Sequence, residues 1–325
     1  PTELIRQQGS TESESMILSR RATSRRLYPR GLNRGFSATR VIGGVRFMDA
    51  EAWWSSIDKT KVRDKLKGLL DAAGTEFWDE QKNFVKSPTV SLSAIGGIPL
   101  RLSESLSPGT IELSIGHPGP VVTVDDVSAA LRRQMGLAGF PSYLNPKGIS
   151  AQNMWDVVAT HKHFSVGHAA SLSFVMAGHS CAVENEFNCQ RDVVHMARLT
   201  VARTAAQADP PLVLPYEELL PAYEKVREVA EACVRETKSR PGDKTVGDWQ
   251  EARFSMFPAA KAHVAVITGS LRNLQKLVGE MSSGGKEREY VLLLGLLNDN
   301  LHWLLPDMFK PSIEYDGYYA ALNRK

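Results

Sequence analysis

The segment CQRDVVHMARLTVART, residues 189–204, places three arginines and a histidine among apolar neighbours. Read as a helix, it puts Arg191, His195 and Arg198 at i, i+4 and i+7, on one face, with Val193, Val194 and Leu199 pointing elsewhere. A guanidinium keeps its charge and donates a fork of hydrogen bonds, so it suits planar or multi-oxygen anions. Three more segments set polar groups in apolar surroundings: HKHFSVGH at 161–168, EARFSMFP with Arg253, and ITGSLRNLQKL with Arg272 and Lys276 at i, i+4. Arginines that recur at the starts or inner faces of apolar helices point to phosphate or pyrophosphate, and so to a nucleotide site. Taken singly, each has a plainer explanation. Arg253 suits a surface or capping position, Arg272 and Lys276 suit a solvated face, and His195 either lies between ligands or caps a core pocket. Histidine clusters bind metal only where their geometry converges, and no metal is expected.

Several function classes drop out. The chain has no GxGxxG opening a helix, no GxxxxGK[ST], no GxSxG and no HExxH. Its 39 basic and 36 acidic residues give a net charge of +3, too even for nucleic-acid binding by bulk charge. No stretch approaches the roughly eighteen apolar residues of a membrane span, and no apolar signal core opens the sequence, so a soluble, cytoplasmic protein is expected. The cysteines, Cys181, Cys189 and Cys233, form no CxxC or Cys/His ligand pattern and are read as reduced and structural. Residues 1–46 hold Arg20, Arg21, Arg25, Arg26, Arg30, Arg34 and Arg40, broken by Pro29, Gly31 and Gly35. This reads as an arm, either a solvated tail or one that contacts nucleotide or another subunit. Residues 47–325 are read as one domain.

Periodicity supplies the elements that must position these groups. Val62, Leu66, Leu69 and Leu70 keep helical spacing between Asp58 and Gly74. Alternation over 88–122, with Gly96-Gly97 as a hairpin signal, predicts strands. Thr123 and Asp126 resemble a capping box for a helix from Asp125 to Gln134 that stops near Gly136, ahead of a loop at 140–148. Helices are predicted at 151–160, 182–207, 217–238, 262–281 and 286–305, and a strand at 171–176. Leu219, Leu220, Tyr223, Val226, Ala230 and Cys233 form one core-facing stripe; Leu271, Leu274, Leu277, Val278 and Met281 form another.

The order of these segments resembles the flavin-dependent thymidylate synthases over roughly 160–310. HKHFSVGH with SLSFVM is similar to that family's histidine-rich turn and strand, and GHSCA (178–182) to its Gly-x-Ser lead-in to the signature helix. EARFSMFP is similar to its Ala-Arg element ahead of a proline. TGSLRNLQKL resembles its Thr-Gly-Asn-Leu-Arg helix start, with Ser270 in place of asparagine. KEREY (286–290) resembles the start of its last long helix, and LLPDMF its closing Pro-x-x-Phe. The departure is in the signature, Arg-His-Arg, two residues, Ser, four residues, Ser, one residue, Arg. With Thr200 at the later serine, Gln190, Arg191 and Asp192 replace Arg-His-Arg and Arg203 is displaced by one. The other register aligns Arg191 and Arg203 with the outer arginines and leaves valine at the serine. The first is adopted. Glu280 and Met281 fall where the family has a base-contacting arginine.

The resemblance implies an α+β fold, a twisted β-sheet wrapped by long helices behind an N-terminal extension. It implies C5-methylation of UMP or dUMP with FAD as cofactor and NADPH and methylene-tetrahydrofolate as co-substrates. It implies a homotetramer with shared sites. His163, Ser165, His168, Gln190, Arg191, Ser270 and Arg272 would bind FAD. Arg191, Arg198, Arg203 and Arg253 would bind the nucleotide, with Thr200 and His195 at the reacting base. The altered signature and long extension resemble a specialised paralogue of the nucleoside-antibiotic type. Two rival readings are a non-catalytic nucleotide-binding paralogue and an RNA-binding protein that uses the basic arm.

Overall fold

A computed structural model of the chain describes residues 38–56, 65–103, 105–116, 118–143, 148–190, 194–198, 211–214, 216–239 and 259–322. Ser37–Lys325 forms one compact unit; Pro1–Phe36, most of the Arg-rich arm, lies outside the described residues. The strands are β1 (Thr39–Ile42), β2 (Val45–Met48), β3 (Glu76–Phe77), β4 (Phe84–Ser87), β5 (Thr89–Ile95), β6 (Ile98–Arg101), β7 (Thr110–Leu113), β8 (Val121–Thr123), β9 (Ser171–Ser180), β10 (His195–Arg198), β11 (Leu212–Val213) and β12 (Ala262–Ser270). The helices are α1 (Ala50–Ser55), α2 (Lys65–Ala72), α3 (Val124–Tyr143), α4 (Ala151–Thr160), α5 (Cys181–Cys189), α6 (Leu220–Ser239), α7 (Leu271–Gly279), α8 (Arg288–Leu304) and α9 (Asp316–Leu322). The β1–β2 hairpin straddles the arm boundary placed at residue 46.

The fold is α+β. One large sheet runs β10-β12-β9-β5-β6-β7-β8, antiparallel throughout, and β2 adds to β5 in parallel with β1 beside it. At its centre β9 and β12 pair antiparallel from Ala262↔Ser180 to Ser270↔Ser171. Their side chains alternate, as a pleat requires. Leu172, Phe174 and Met176 of β9 join Ala265 and Ile267 of β12 in the main core, which α3, α4, α7 and α8 cover. Val175, Ala177 and Val264 face the other way, into a second cluster closed by Trp53, Leu66, Leu69 and Leu70. Among the described residues no helix is long and apolar enough to cross a membrane.

Local sequence chemistry sets several of these elements. Gly96 and Gly97 take φ of 57° and 79°, the left-handed values of a two-residue hairpin turn between β5 and β6. Thr123 and Asp126 cap each other: the Asp126 amide donates to Thr123 Oγ1 at 3.1 Å and the Thr123 amide to Asp126 Oδ2 at 2.8 Å. The Thr123 amide and hydroxyl, both donating to Asp126 Oδ2, hold that carboxyl below its usual range. The stripe Leu271, Leu274, Leu277, Val278 and Met281 is fully buried.

Four elements differ from the sequence reading. The helix expected over 182–207 ends at Cys189, and His195–Arg198 is a strand on the β12 edge. Residues 262–270 are that β12 strand, so the helix expected over 262–281 starts only at Leu271. In both places pairing across the sheet overrides the helical period, and β-branched residues suit the pleat. His195 and Arg198 therefore belong to a strand and not to one face of a helix, and Arg191 lies outside the described residues. Third, α3 runs on through Gly136 and Pro141 to Tyr143. Gly136 is a contact point and not a stop: a Cβ there would lie 1.8 Å from the Ala151 carbonyl oxygen of α4. Fourth, α6 forms, but Leu219 and Val226 of its apolar stripe are exposed, while Leu220 and Tyr223 pack beside Phe84, Leu212 and Leu214.

The glycine contact gives a test with two opposite signs. Gly136→Ala should destabilise the fold by about 1–3 kcal/mol through overpacking against α4. Gly68→Ala, in α2 with open space around it, should stabilise by about 0.5–1 kcal/mol through helix propensity. Urea unfolding midpoints of the two variants check both.

Candidate functional site

The second face of the sheet is covered only in part. Below the Val175↔Val266 pair it is closed by the smaller apolar cluster; above it the pairs Ser173↔Thr268 and Ser171↔Ser270 continue with partly exposed side chains, and His195 opposite Thr268 is exposed. Ser173 Oγ and Thr268 Oγ1 are 2.8 Å apart, and Ser93 Oγ donates to the Ser173 carbonyl at 3.1 Å. An imidazole and a row of hydroxyls thus lie side by side on this partly exposed face, where they can both donate and accept hydrogen bonds. Behind it, Gly269 admits Val194: a Cβ at Gly269 would sit 2.9 Å from Val194 Cγ1. That fit keeps β10, and so His195, against β12.

The antiparallel register brings the turn before β9 to the helix after β12. His168 Nδ1 lies 3.1 Å from Ser270 Oγ, although the two are 102 residues apart in sequence. Ser270 also caps α7, accepting from the Asn273 amide at 3.2 Å, and the Leu271 amide donates to the Ala170 carbonyl at 2.8 Å. Gly167 is needed here, because its Cβ would come within 3.0 Å of the Arg272 amide nitrogen. The Arg272 guanidinium bonds Gln275, which donates to the Met308 carbonyl at 3.0 Å. That fixes one end of a group with five donors and leaves others for an anion. His163, Ser165 and His168 are exposed on the same turn, and His163 contacts the Tyr143 hydroxyl at the end of α3.

The other end of β9 is pinned from α8. Ser180 donates its amide to Glu289 Oε1 and its hydroxyl to Oε2, each at 2.6 Å, while its Oγ caps α5 by accepting from Val183. Burial raises the Glu289 carboxyl above its usual range, more than the Ser180 hydrogen bonds lower it.

Of the residues expected at the site, His168, Ser270 and Arg272 come together, with His163 and Ser165 on the same turn. Gln190 terminates α5, and His195 stands on the open face. Arg198 is a β10 residue in register with Ala265. Arg191, Thr200, Arg203 and Arg253 lie outside the described residues. Ser173 and Thr268 were missed. Strand alternation in AHVAVITGS would have found Thr268, had that segment not been read as helix. Among the described residues no group of His, Cys, Asp and Glu is arranged to hold a metal.

No family model and no curated protein matches the chain. Solved structures do. The chain is similar to thymidylate synthase X of Helicobacter pylori with FAD and dUMP, at 14% identity and a TM-score of 0.46, over 56% of this chain and 94% of that one. Another Helicobacter pylori structure, of flavin-dependent thymidylate synthase complexed with FAD and dUMP, gives 13% and 0.44 over 55% and 95%. The UMP/dUMP methylase PolB from Streptomyces cacaoi, bound with 5-Br UMP, gives 11% and 0.46 over 72% and 97%.

Removing the pin has a predictable cost. Glu289→Ala leaves the Ser180 amide and hydroxyl without their acceptor and should destabilise by about 1–3 kcal/mol. A carboxyl whose affinity for protons rises on folding favours the folded state when protonated. This contribution is full below the ordinary 4.5 and is lost as pH rises through the raised value. The stability of the wild-type protein relative to Glu289→Gln should therefore fall as pH is raised from 4.5 toward neutrality, in denaturant titrations at each pH.

Proposed function

We propose that this protein is a flavin-dependent methylase of a uracil nucleotide, UMP or dUMP, with methylene-tetrahydrofolate as carbon donor and NADPH as reductant. One observation carries the reading. The sequence resemblance assigns the 161–168 turn and the start of α7 to flavin separately, and His168 and Ser270 from those two segments are in hydrogen-bond contact. The surroundings suit FAD: exposed imidazoles and hydroxyls, a glycine where the chain passes closest to α7, and a guanidinium anchored at one end.

His168, Ser270 and Arg272 would hold FAD, with His163 and Ser165 beside them and Gln190 and Arg191 completing the set. Arg191, Arg198, Arg203 and Arg253 would bind the nucleotide. Thr200 and His195 would stand at the uracil ring. FAD, when bound, would supply the hydride chemistry. The work of the chain is to orient its ligands and present fixed charge. The assembly is a homotetramer with shared sites, residues 1–46 form the arm, and the enzyme acts in the cytoplasm on a nucleoside-antibiotic route. Gln190, Arg191 and Asp192 in place of Arg-His-Arg favour one rival, a nucleotide-binding paralogue without catalysis.

Incubation with UMP or dUMP, FAD, NADPH and methylene-tetrahydrofolate should add one methyl group to the nucleotide, read by mass. Product with neither nucleotide rejects the enzyme, and nucleotide binding by protein that retains no yellow flavin supports the rival. Arg203→Ala should weaken nucleotide binding by about 10- to 100-fold, the loss of one charge-assisted hydrogen bond. Arg272→Ala should lower retention of FAD, seen in the visible spectrum.

A further inference from the structure

Four polar side chains meet at the end of the β9–β12 pairing away from His168 and Ser270. His179, near the end of β9, and His263, near the start of β12, are fully buried, and so is Glu184 in the first turns of α5. Glu184 Oε1 lies 2.8 Å from His263 Nδ1 and 3.2 Å from His179 Nε2. The other ring nitrogen of His263, Nε2, lies 3.0 Å from Sγ of Cys181, the first residue of α5 and partly exposed. Burial would push the Glu184 carboxyl up, but the hydrogen bonds from the two imidazoles hold it down at about 2. Glu184 is therefore an ionised acceptor, and both rings donate to it. His263 then carries its proton on Nδ1 and turns a lone pair on Nε2 toward the thiol. His179, donating through Nε2, leaves a buried Nδ1 with no hydrogen-bond partner among the described residues.

The groups form a chain and do not converge on a point. His263 faces a different neighbour with each nitrogen, so they do not make a metal centre, in keeping with the absence of any such group among the described residues. The order thiol, imidazole, carboxylate is that of a nucleophile, its base and the group that orients the base.

We propose that Cys181 is a nucleophilic cysteine, with His263 as its base and Glu184 as the positioning residue, and that its reaction partner is a hydroperoxide. Acyl transfer would need donors for an oxyanion. The first amides of α5 are already committed: Cys181 N donates to the Lys261 carbonyl at 3.0 Å, Ala182 N to the Ala259 carbonyl at 3.1 Å, and Val183 N to Ser180 Oγ at 3.3 Å. A displacement at peroxide oxygen has no such requirement, since charge develops only on the leaving oxygen. The thiol is the member of the chain that reaches solvent, which favours a small electrophile. In the step, the thiol proton passes to His263 Nε2 and the sulfur pair attacks the hydroxyl oxygen of the peroxide. An S–O bond forms as the O–O bond breaks, and the departing oxygen takes the proton back from His263. Cys181 is oxidised by two electrons to a sulfenic acid, and the hydroperoxide is reduced by the same two to water or an alcohol. None of this depends on the proposed methylase activity.

The experiment treats the full chain with hydrogen peroxide and a dione that traps sulfenic acids, and follows the Cys181 and Cys189 peptides by mass spectrometry. Cys189 is exposed and serves as the internal reference. Cys181 should be trapped at least roughly 10-fold faster although it is less exposed. His263→Asn should slow Cys181 by about 100-fold, the contribution of a positioned base, and leave Cys189 unchanged. Glu184→Gln should slow it less and shift the His263 ring-nitrogen resonances toward the other tautomer, which a merely structural role would not do. Equal rates for Cys181 and Cys189 in the wild-type protein, a comparison that needs no variant to fold, overturn the proposal. So does an unchanged Cys181 rate in folded His263→Asn. Fast alkylation of Cys181 by iodoacetamide with no sulfenic acid formed overturns the choice of peroxide.

Discussion

The antiparallel pairing of β9 with β12 is the constraint on which the rest depends. Because the strands run in opposite directions, the beginning of one lies beside the end of the other. The turn before β9 must therefore meet the helix after β12, and the helix after β9 must meet the beginning of β12. Both helices start directly from a strand through a serine cap, Ser180 for α5 and Ser270 for α7. A single pairing thus builds two polar centres, separated by about 23 Å along β12 from Ser270 to His263 at roughly 3.3 Å per residue. One is a partly exposed face of hydroxyls and an imidazole; the other is a buried relay that ends in a thiol.

The two centres differ in how their polarity is accommodated. Around His195, Ser173 and Thr268 the side chains stay in reach of solvent, so their hydrogen-bonding capacity is not lost when no ligand is bound. Around Glu184 no such exchange is possible, and each polar atom needs a protein partner. Glu184 has two imidazoles for that purpose. Glu289 has both donors of Ser180, yet its burial still dominates, so the same residue type leaves its usual range upward at one position and downward at the other. Each carboxyl has two donors, so their number does not decide the direction: the hydrogen bonds of the imidazoles outweigh burial at Glu184, and those of Ser180 do not at Glu289.

Sequence periodicity made much of the scaffold legible. The Gly96-Gly97 turn, the Thr123–Asp126 cap, the α4 helix and the Leu271–Met281 stripe all depend on contacts within a few residues, which a local pattern can register. It failed where distant pairing decides. HVAVIT and HMAR read as helix because their apolar spacing tolerates either period, and only the neighbouring strand selects the pleat. Gly136 failed differently: a glycine that ends a helix and one that lets another helix approach look the same in one dimension. His168 and Ser270 were legible as separate motifs, but their contact was not. The relay from Cys181 to Glu184 left no local trace, since His263 is supplied from 79 residues beyond Glu184.

The register of β9 against β12 shifts once, between His263 and Val264. The extra residue is Gly178 of β9, passed over between His179↔His263 and Ala177↔Val264, and its φ of 83° is a left-handed value that glycine takes without strain. β12 keeps one alternation through the irregularity, whereas β9 changes phase. His179, which unbroken alternation would put on the face of Val175 and Ala177, lies opposite His263 instead, and both rings reach Glu184 Oε1. The buried relay thus depends on one inserted residue, and the hydroxyls at the far end of the pairing do not.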